Sequence, residues 1–309
     1  MKIVFAGSPE VAVPTLRALS AEHDVLAVLT REPAPVGRRR TRTATPVAVA
    51  ARELGIPVIE SNRPDGDVTD RVVQLRPDLG VVIAYGAMLR SPLLNAPKHG
   101  WVNLHFSALP KHRGASPLQS TILAGEREAG LSVFRLVPEL DAGDVVVQQS
   151  SPLGPDETAG EALARLAHEG VGAVVTAVNH IGAGTAVFTP QSGETSYAPK
   201  LTRQDGELDF TRDAASIYAR FRGVTPEPGA WTNTEIGAVK ILAMRPVAEY
   251  DEQRTGVAAL EGKRAIVTTS DGAFELLRVQ PPGKAAMDGD AWLRGRGGFV
   301  QLLTAEEAQ

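Results

Sequence analysis

The chain has 309 residues, no cysteine, 43% hydrophobic and 22% charged residues and a formal net charge of −4; this describes about two globular domains and excludes disulfides, thiolate nucleophiles and sulfur-ligated zinc. No run of roughly 18 apolar residues predicts a membrane span, and the start "MKIVFAG" lacks the marks of a secretory or transit leader, so a cytoplasmic protein is expected. The negative total argues against coating nucleic acid by overall charge, but leaves room for a local basic patch.

In chain order, "KIVFAG" (Lys2–Gly7) reads as a strand ending in a Gly turn, and "SPEVAVPTLRALSAE" as a helix with Ser8 at its N-cap. Pro14 marks where the regular part of that helix starts. "DVLAVLT" (Asp24–Thr30) is a second strand, and "TPVAVAARELG" (Thr45–Gly55) a helix closed by Gly. The strand "PVIE", the helix "DVTDRVVQL" and the strands "LGVVIAYG" and "WVNLHFS" follow. Alternation of this kind predicts a parallel sheet with helices on both faces and ligands beyond its carboxyl ends. The ends at Gly7, Gly86 and Ser107 should therefore face one crevice. After the helix "PLQSTILAG", "LSVFRLV" and "DVVVQQS" form a hairpin across "PELDAG", with Asp141 near its tip. A long amphipathic helix, "ETAGEALARLAHEGVGAVVTAVNHI", completes a Rossmann-like α/β domain over residues 1–187. Residues 188–206 are polar and broken and read as a linker. Residues 207–309 change grammar to one short helix and short strands such as "VKILAMRPV", "RAIVTTSDG" and "AFELLRVQ", the pattern of a small OB-like β-barrel.

Several stretches invite chemistry. "VFAGSPE" lacks G-x-G-x-x-G, which disfavours a nicotinamide-dependent reductase. "GRRRTRT" (Gly37–Thr43) is the densest basic run; by itself it is a solvated loop, but placed after the second strand it offers guanidinium forks to phosphates over the crevice. His99, His105 and His112 have no metal-ligand spacing, so no metal is expected. Asn103 and His105 share a strand face just before the chain breaks into "SALP", and the hairpin bearing Asp141 lies downstream. An amide and an imidazole can donate to an oxyanion, while a carboxylate favours the charged imidazole or accepts a proton through water. With no cysteine and no G-x-S-x-G elbow, an amine could attack the acyl carbon directly.

With these residues in place the chain resembles the formyltransferases that use 10-formyltetrahydrofolate. Their shared pattern is Asn-x-His-x-Ser-Leu-Leu-Pro, followed downstream by Leu-Asp-x-Gly. Here it reads Asn103, His105 and Ser107–Pro110, then "LDAG" with Asp141, with Ala108 in place of the first Leu and Phe106 where a small residue is usual. "PVGRRRTRTATPV", "SYAPKL", "TPEPGAW" and "LLRVQPPGKAAM" look most like the branch of that family whose acceptor is methionine on initiator tRNA. The resemblance implies that Asn103 and His105 polarise the formyl carbonyl, and that Asp141 assists loss of a proton from the methionine amine and sets the state of His105. It implies that Ser107, Ala108, Leu109 and Pro110, with Tyr85, Gly86 and Met88, line the folate site. It further implies that Arg38, with Arg39, Arg40 and Arg42, meets the acceptor stem, that the barrel holds the tRNA, and that the enzyme is monomeric and needs no metal. A formyltransferase acting on a small amine and an RNA-binding module with an inactive first half are the alternatives.

Overall fold

A computed structural model describes residues 1–37, 40–250 and 254–304. In chain order its elements begin with β1 (Lys2–Gly7), α1 (Val13–Glu22), β2 (Asp24–Thr30), β3 (Ala34–Val36), β4 (Thr41–Thr43), α2 (Pro46–Glu53) and β5 (Val58–Glu60). There follow α3 (Asp67–Leu75), β6 (Leu79–Ile83), β7 (Trp101–His105), β8 (Arg113–Gly114), α4 (Pro117–Leu123), β9 (Glu128–Arg135), β10 (Val145–Pro152), α5 (Ala159–Ala183) and β11 (Tyr197–Ala198). The last third holds α6 (Ala214–Val224), β12 (Trp231–Thr234), β13 (Val239–Val247), β14 (Val257–Glu261), β15 (Arg264–Thr268), β16 (Ala273–Gln280), β17 (Met287–Asp288), α7 (Gly289–Arg294) and β18 (Phe299–Leu303). Among the described residues no helix is long and apolar enough to cross a membrane.

The chain divides into two compact units, the first formed by Met1–Pro117, Glu128–Pro152 and Leu163–Ala198. Its sheet runs β10-β9-β7-β6-β1-β2-β5. The pairs from β5 through β7 are parallel, and β9 and β10 join antiparallel. That is the expected Rossmann-like, mostly parallel sheet. Its central strands are apolar without alternation, because both faces are covered: Ile3–Ala6 and every residue of β6 are buried.

Local chemistry explains how α1 and α2 begin. Thr45 accepts a hydrogen bond from the Ala48 N–H at 3.1 Å and Pro46 opens the first turn of α2, as expected for that start. Pro14 lies in the first turn of α1, after a short 3-10 turn at Glu10–Ala12. Ser8 caps neither of these. Its hydroxyl donates to the Tyr85 carbonyl at 2.8 Å and accepts from the Arg31 N–H at 3.2 Å, so it ties the ends of β1, β2 and β6 together. The reason is position: Ser8 leaves β1 at the sheet edge, and Pro9 is the extended residue before the 3-10 turn.

The segment expected as a linker is in part woven into this first unit. Val145 and Thr189 exchange two backbone hydrogen bonds, of 2.8 and 2.9 Å, and β11 pairs in parallel with β8.

The second unit comprises Leu118–Arg127, Leu153–Ala162 and the chain from Pro199 onward. Its strands follow the order β13-β12-β18-β14-β15-β16-β17, and an added pairing of β13 with β16 closes an antiparallel barrel. Phe210, Phe274, Leu276 and Trp292 lie in its core with α6 and α7 residues Ile217, Phe221 and Leu293. Asp213 caps α6 by accepting from the Ser216 N–H at 2.8 Å. This is the small barrel domain expected for the C-terminal third.

Candidate active site

β7 delivers Asn103 and His105 to one face at the carboxyl edge of the sheet, where residues two apart must share a side. His105 is 4% exposed, with Phe134 of β9 standing edge-on to its ring at 6.1 Å between centroids. Its Nε2 lies 2.9 Å from the His112 carbonyl oxygen. A carbonyl can only accept, so Nε2 carries the proton. Its Nδ1 faces the Asp141 carboxylate at 4.0 Å. Burial pushes the His105 pKa below its ordinary 6.5, against the upward pull of Asp141 and of the His112 carbonyl, while the His112 ring adds to the lowering. The resting ring is therefore neutral, with a bare Nδ1 lone pair turned toward a carboxylate.

Asp141 sits in the β9–β10 connection with a left-handed φ of 48°, a conformation that non-glycine residues adopt at a cost. Its Oδ2 accepts the Gly114 N–H at 2.8 Å. Asn103 is half-buried, and its side-chain oxygen is shielded from solvent with no hydrogen-bond partner among the described residues. An orphaned buried amide is costly unless a ligand completes it. Rotation of that amide by a half-turn places its N–H₂ at the same point, so the site can offer either a donor or an acceptor there.

The loop after β7 is fastened to β9 and β10. The Ser132 hydroxyl donates to the Ser107 carbonyl at 2.7 Å and accepts from the Leu109 N–H at 3.2 Å. Gln148 donates to the Leu109 carbonyl at 3.0 Å and to the Ser132 hydroxyl at 2.9 Å. Gly130 makes this approach possible, since a Cβ there would lie 1.9 Å from the Ala108 nitrogen. Ser107, Leu109 and Pro110 are buried, and Ala108 is exposed.

The residues after β6 divide. The Tyr85 side chain is 1% exposed, donates its hydroxyl to the Ser61 carbonyl at 2.7 Å, and has its pKa pushed up to about 12 by burial. It thus serves the core and presents no surface. The Gly86 carbonyl accepts from Arg31 at 2.7 Å. Met88 is 61% exposed and lines a cavity of about 350 Å³ with Asn62, Arg63, Ala87 and Arg90.

On either side of Arg38 and Arg39, β3 and β4 pair antiparallel, Pro35 opposite Arg42 and Val36 opposite Thr41, with every strand residue exposed. Arg40 forms part of the turn, its N–H on the Gly37 carbonyl at 3.1 Å. Arg38 and Arg39 lie outside the described residues. Arg42 borders an open cleft of about 610 Å³ that also includes Ser8, Arg31, Thr45 and Asn62, at the same carboxyl edge of the sheet as β7. Among the described residues no three His, Cys, Asp or Glu side chains gather where they would hold a metal ion.

The structure sets Asp141 4.0 Å from His105, and Asn103 lies two residues before His105 on β7. Ser132, Gln148 and Gly114 support them and were not singled out from the sequence. Small polar residues in strands and a two-residue Arg-Gly bridge carry no local signal of such a task.

The formyl transferase family matches residues 1–178, and its C-terminal domain matches residues 200–297. A methionyl-tRNA formyltransferase from Leifsonia xyli is 52% identical over 302 residues, covering 98% of this chain and 100% of its own length. Among solved structures, HypX from Aquifex aeolicus in complex with tetrahydrofolic acid superposes with a TM-score of 0.66 at 20% identity, over 95% of this chain and 47% of the longer one. An N-formyltransferase from Helicobacter canadensis in complex with folinic acid and dTDP-3-aminofucose gives 0.70 at 18% identity, over 91% of this chain and 99% of its own. The two solved structures share the fold, whereas identity over the full length is the stronger tie: the chain belongs to the formyl transferase family and has methionyl-tRNA formyltransferases as its near relatives.

Proposed function

We propose that the chain transfers the formyl group of 10-formyltetrahydrofolate to the α-amino group of methionine on initiator tRNA. The observation that carries this reading is His105, anchored through Nε2 on the His112 carbonyl and facing Asp141 through Nδ1, beside the orphaned amide of Asn103. The folate supplies an activated formyl carbon open to attack by an amine. As the amine nitrogen bonds to that carbon, the bare Nδ1 of His105 accepts the proton the amine must lose, and the Asp141 carboxylate stabilises the imidazolium. The Asn103 N–H₂ donates to the formyl oxygen as negative charge builds, and the newly protonated Nδ1 adds a second donor. The same Nδ1 proton then passes to the departing folate nitrogen. One formyl group and one proton exchange places, and the ring is neutral again.

In this reading Ser107, Ala108, Leu109, Pro110, Gly86 and Met88 border the folate, and Tyr85 fixes the strand end from below. Arg40 and Arg42, with Arg38 and Arg39, meet the acceptor stem, and the barrel from residue 207 onward holds the tRNA body. The exposed basic hairpin and the full-length relatives favour a tRNA-bound acceptor over a small amine. Incubation with 10-formyltetrahydrofolate and methionine-charged initiator tRNA should yield formylmethionine. Formylation of a free amino sugar with none on the tRNA would overturn the assignment.

A further inference from the structure

His105 and Asp141 do not hold themselves. His105 Nε2 rests on the carbonyl of His112, and Asp141 Oδ2 accepts the N–H of Gly114. Both supports belong to the stretch His112–Gly114, and that stretch is fastened by residues 188–198. Ser196 Oγ accepts the His112 N–H at 2.9 Å, the Ser196 carbonyl accepts the Arg113 N–H at 2.9 Å, and β11 pairs with β8. At Gly114, with φ +126°, a Cβ would lie 2.5 Å from the Ala198 carbonyl oxygen, so the two backbones close on each other only with glycine there.

One side chain of this strap reaches the catalytic loop itself. The Gln191 amide nitrogen donates to the Asp141 carbonyl at 2.8 Å and to the Gly143 carbonyl at 2.8 Å. Its oxygen accepts from Arg113 Nε at 3.1 Å and Nη2 at 2.6 Å. Gln191 thus uses both amide hydrogens and its oxygen to lock the loop bearing Asp141 to the strand bearing its N–H partner. The loop needs such a lock, because Asp141 holds a left-handed φ that persists only where surroundings over-determine it.

We infer that Gln191, oriented by Arg113, is a positioning residue that fixes the Asp141 carboxylate opposite His105 Nδ1. It touches neither substrate, and the inference rests on the formyl-transfer reading above. The charged or titratable groups facing His105 are Asp141 and His112, and Gln191 bonds the backbone of the first directly.

The test is Gln191→Met, which keeps the volume and removes all four hydrogen bonds, with Arg113→Met as a second variant that removes only the orienting arm. Loss of alignment should lower kcat on the order of ten- to a hundredfold, while KM for folate and for tRNA stays within about threefold, since neither surface is altered. The His105 ring, followed by NMR through a pH titration, should protonate at lower pH in Gln191→Met than in the wild type, because the carboxylate has moved away. Arg113→Met should shift both readouts the same way by less, and it carries the test if Gln191→Met does not fold. A lowered melting point with unchanged kcat and unchanged His105 titration would show a merely structural role and overturn the inference. Asp141→Asn is assayed alongside. If it is as active as the wild type the formyl-transfer reading fails; if it is inactive while both strap variants match the wild type, only the positioning role fails.

Discussion

Two regions at the carboxyl edge of the same sheet are built on opposite principles. The end of β7 is cross-tied: His112 supports His105, Gly114 supports Asp141 and Ser132 holds the loop that follows, while the Asn103 side-chain oxygen is left for a ligand. β3 and β4 are exposed along both strands and, among the described residues, pair only with each other. A reacting atom must be placed to a fraction of an ångström, which burial and redundant hydrogen bonds achieve. A polyanion is met by charge, and charge works from an exposed arm without a fixed rotamer. Substitutions at the first region should therefore act on turnover, and those at the second on acceptor binding and its salt dependence.

The largest break in that contrast should come from Asp141→Asn or Asn103→Ala. Each should reduce kcat by about 10²- to 10⁴-fold with the melting point nearly unchanged; single-turnover formylation of charged tRNA measures it, and wild-type rates would remove the residue from the mechanism. Ser132→Ala comes next. It deprives the Ser107 carbonyl, the Leu109 N–H and Gln148 of a shared partner at a cost of about 1–3 kcal/mol, so the loop shifts and KM for folate rises while KM for tRNA holds. Arg42→Ala should be milder: tRNA affinity falls uniformly and the slope of log affinity against log salt loses about one unit, with folate binding intact. Equal loss of folate affinity would place the hairpin in the folate site instead.

Much of this organisation could be read before any coordinates. The alternating strands and helices specify the sheet, and period-two spacing alone puts Asn103 beside His105. Asp141 was legible because a short loop between two strands predicts its place near a hairpin tip. Three things were not legible. The resemblance implies that Tyr85 lines the folate slot, yet its hydroxyl reaches the Ser61 carbonyl and its side chain is buried in the core. Ser8 has the sequence context of a cap but spends its hydroxyl across strands. Gln191 lies in a polar, broken stretch that looks like a linker, and its bonds span 50 residues to Asp141 and 78 to Arg113. Periodicity reports local faces; bonds at that separation are created only when the sheet is assembled.

The subtlest effect concerns the proton on His105. Folding lowers its pKa below 6.5, chiefly by burial. Between the folded value and 6.5 the unfolded chain binds more protons at this site than the folded one, so this residue's contribution makes stability rise with pH across that window. It is fully present above about pH 6.5 and lost as pH falls toward the folded pKa. His105→Asn removes the titrating group, so its denaturation midpoint should fall less steeply on acidification than the wild type's, whatever constant offset the lost His112 contact adds. Formyl transfer should share the acid limb, because the neutral Nδ1 is the proton acceptor, and should rise with pH through the same His105 titration. Parallel stability curves would mean that folding leaves the imidazole's proton affinity unchanged. The acid limb of formyl transfer would then lie at the ordinary imidazole pKa instead of below it.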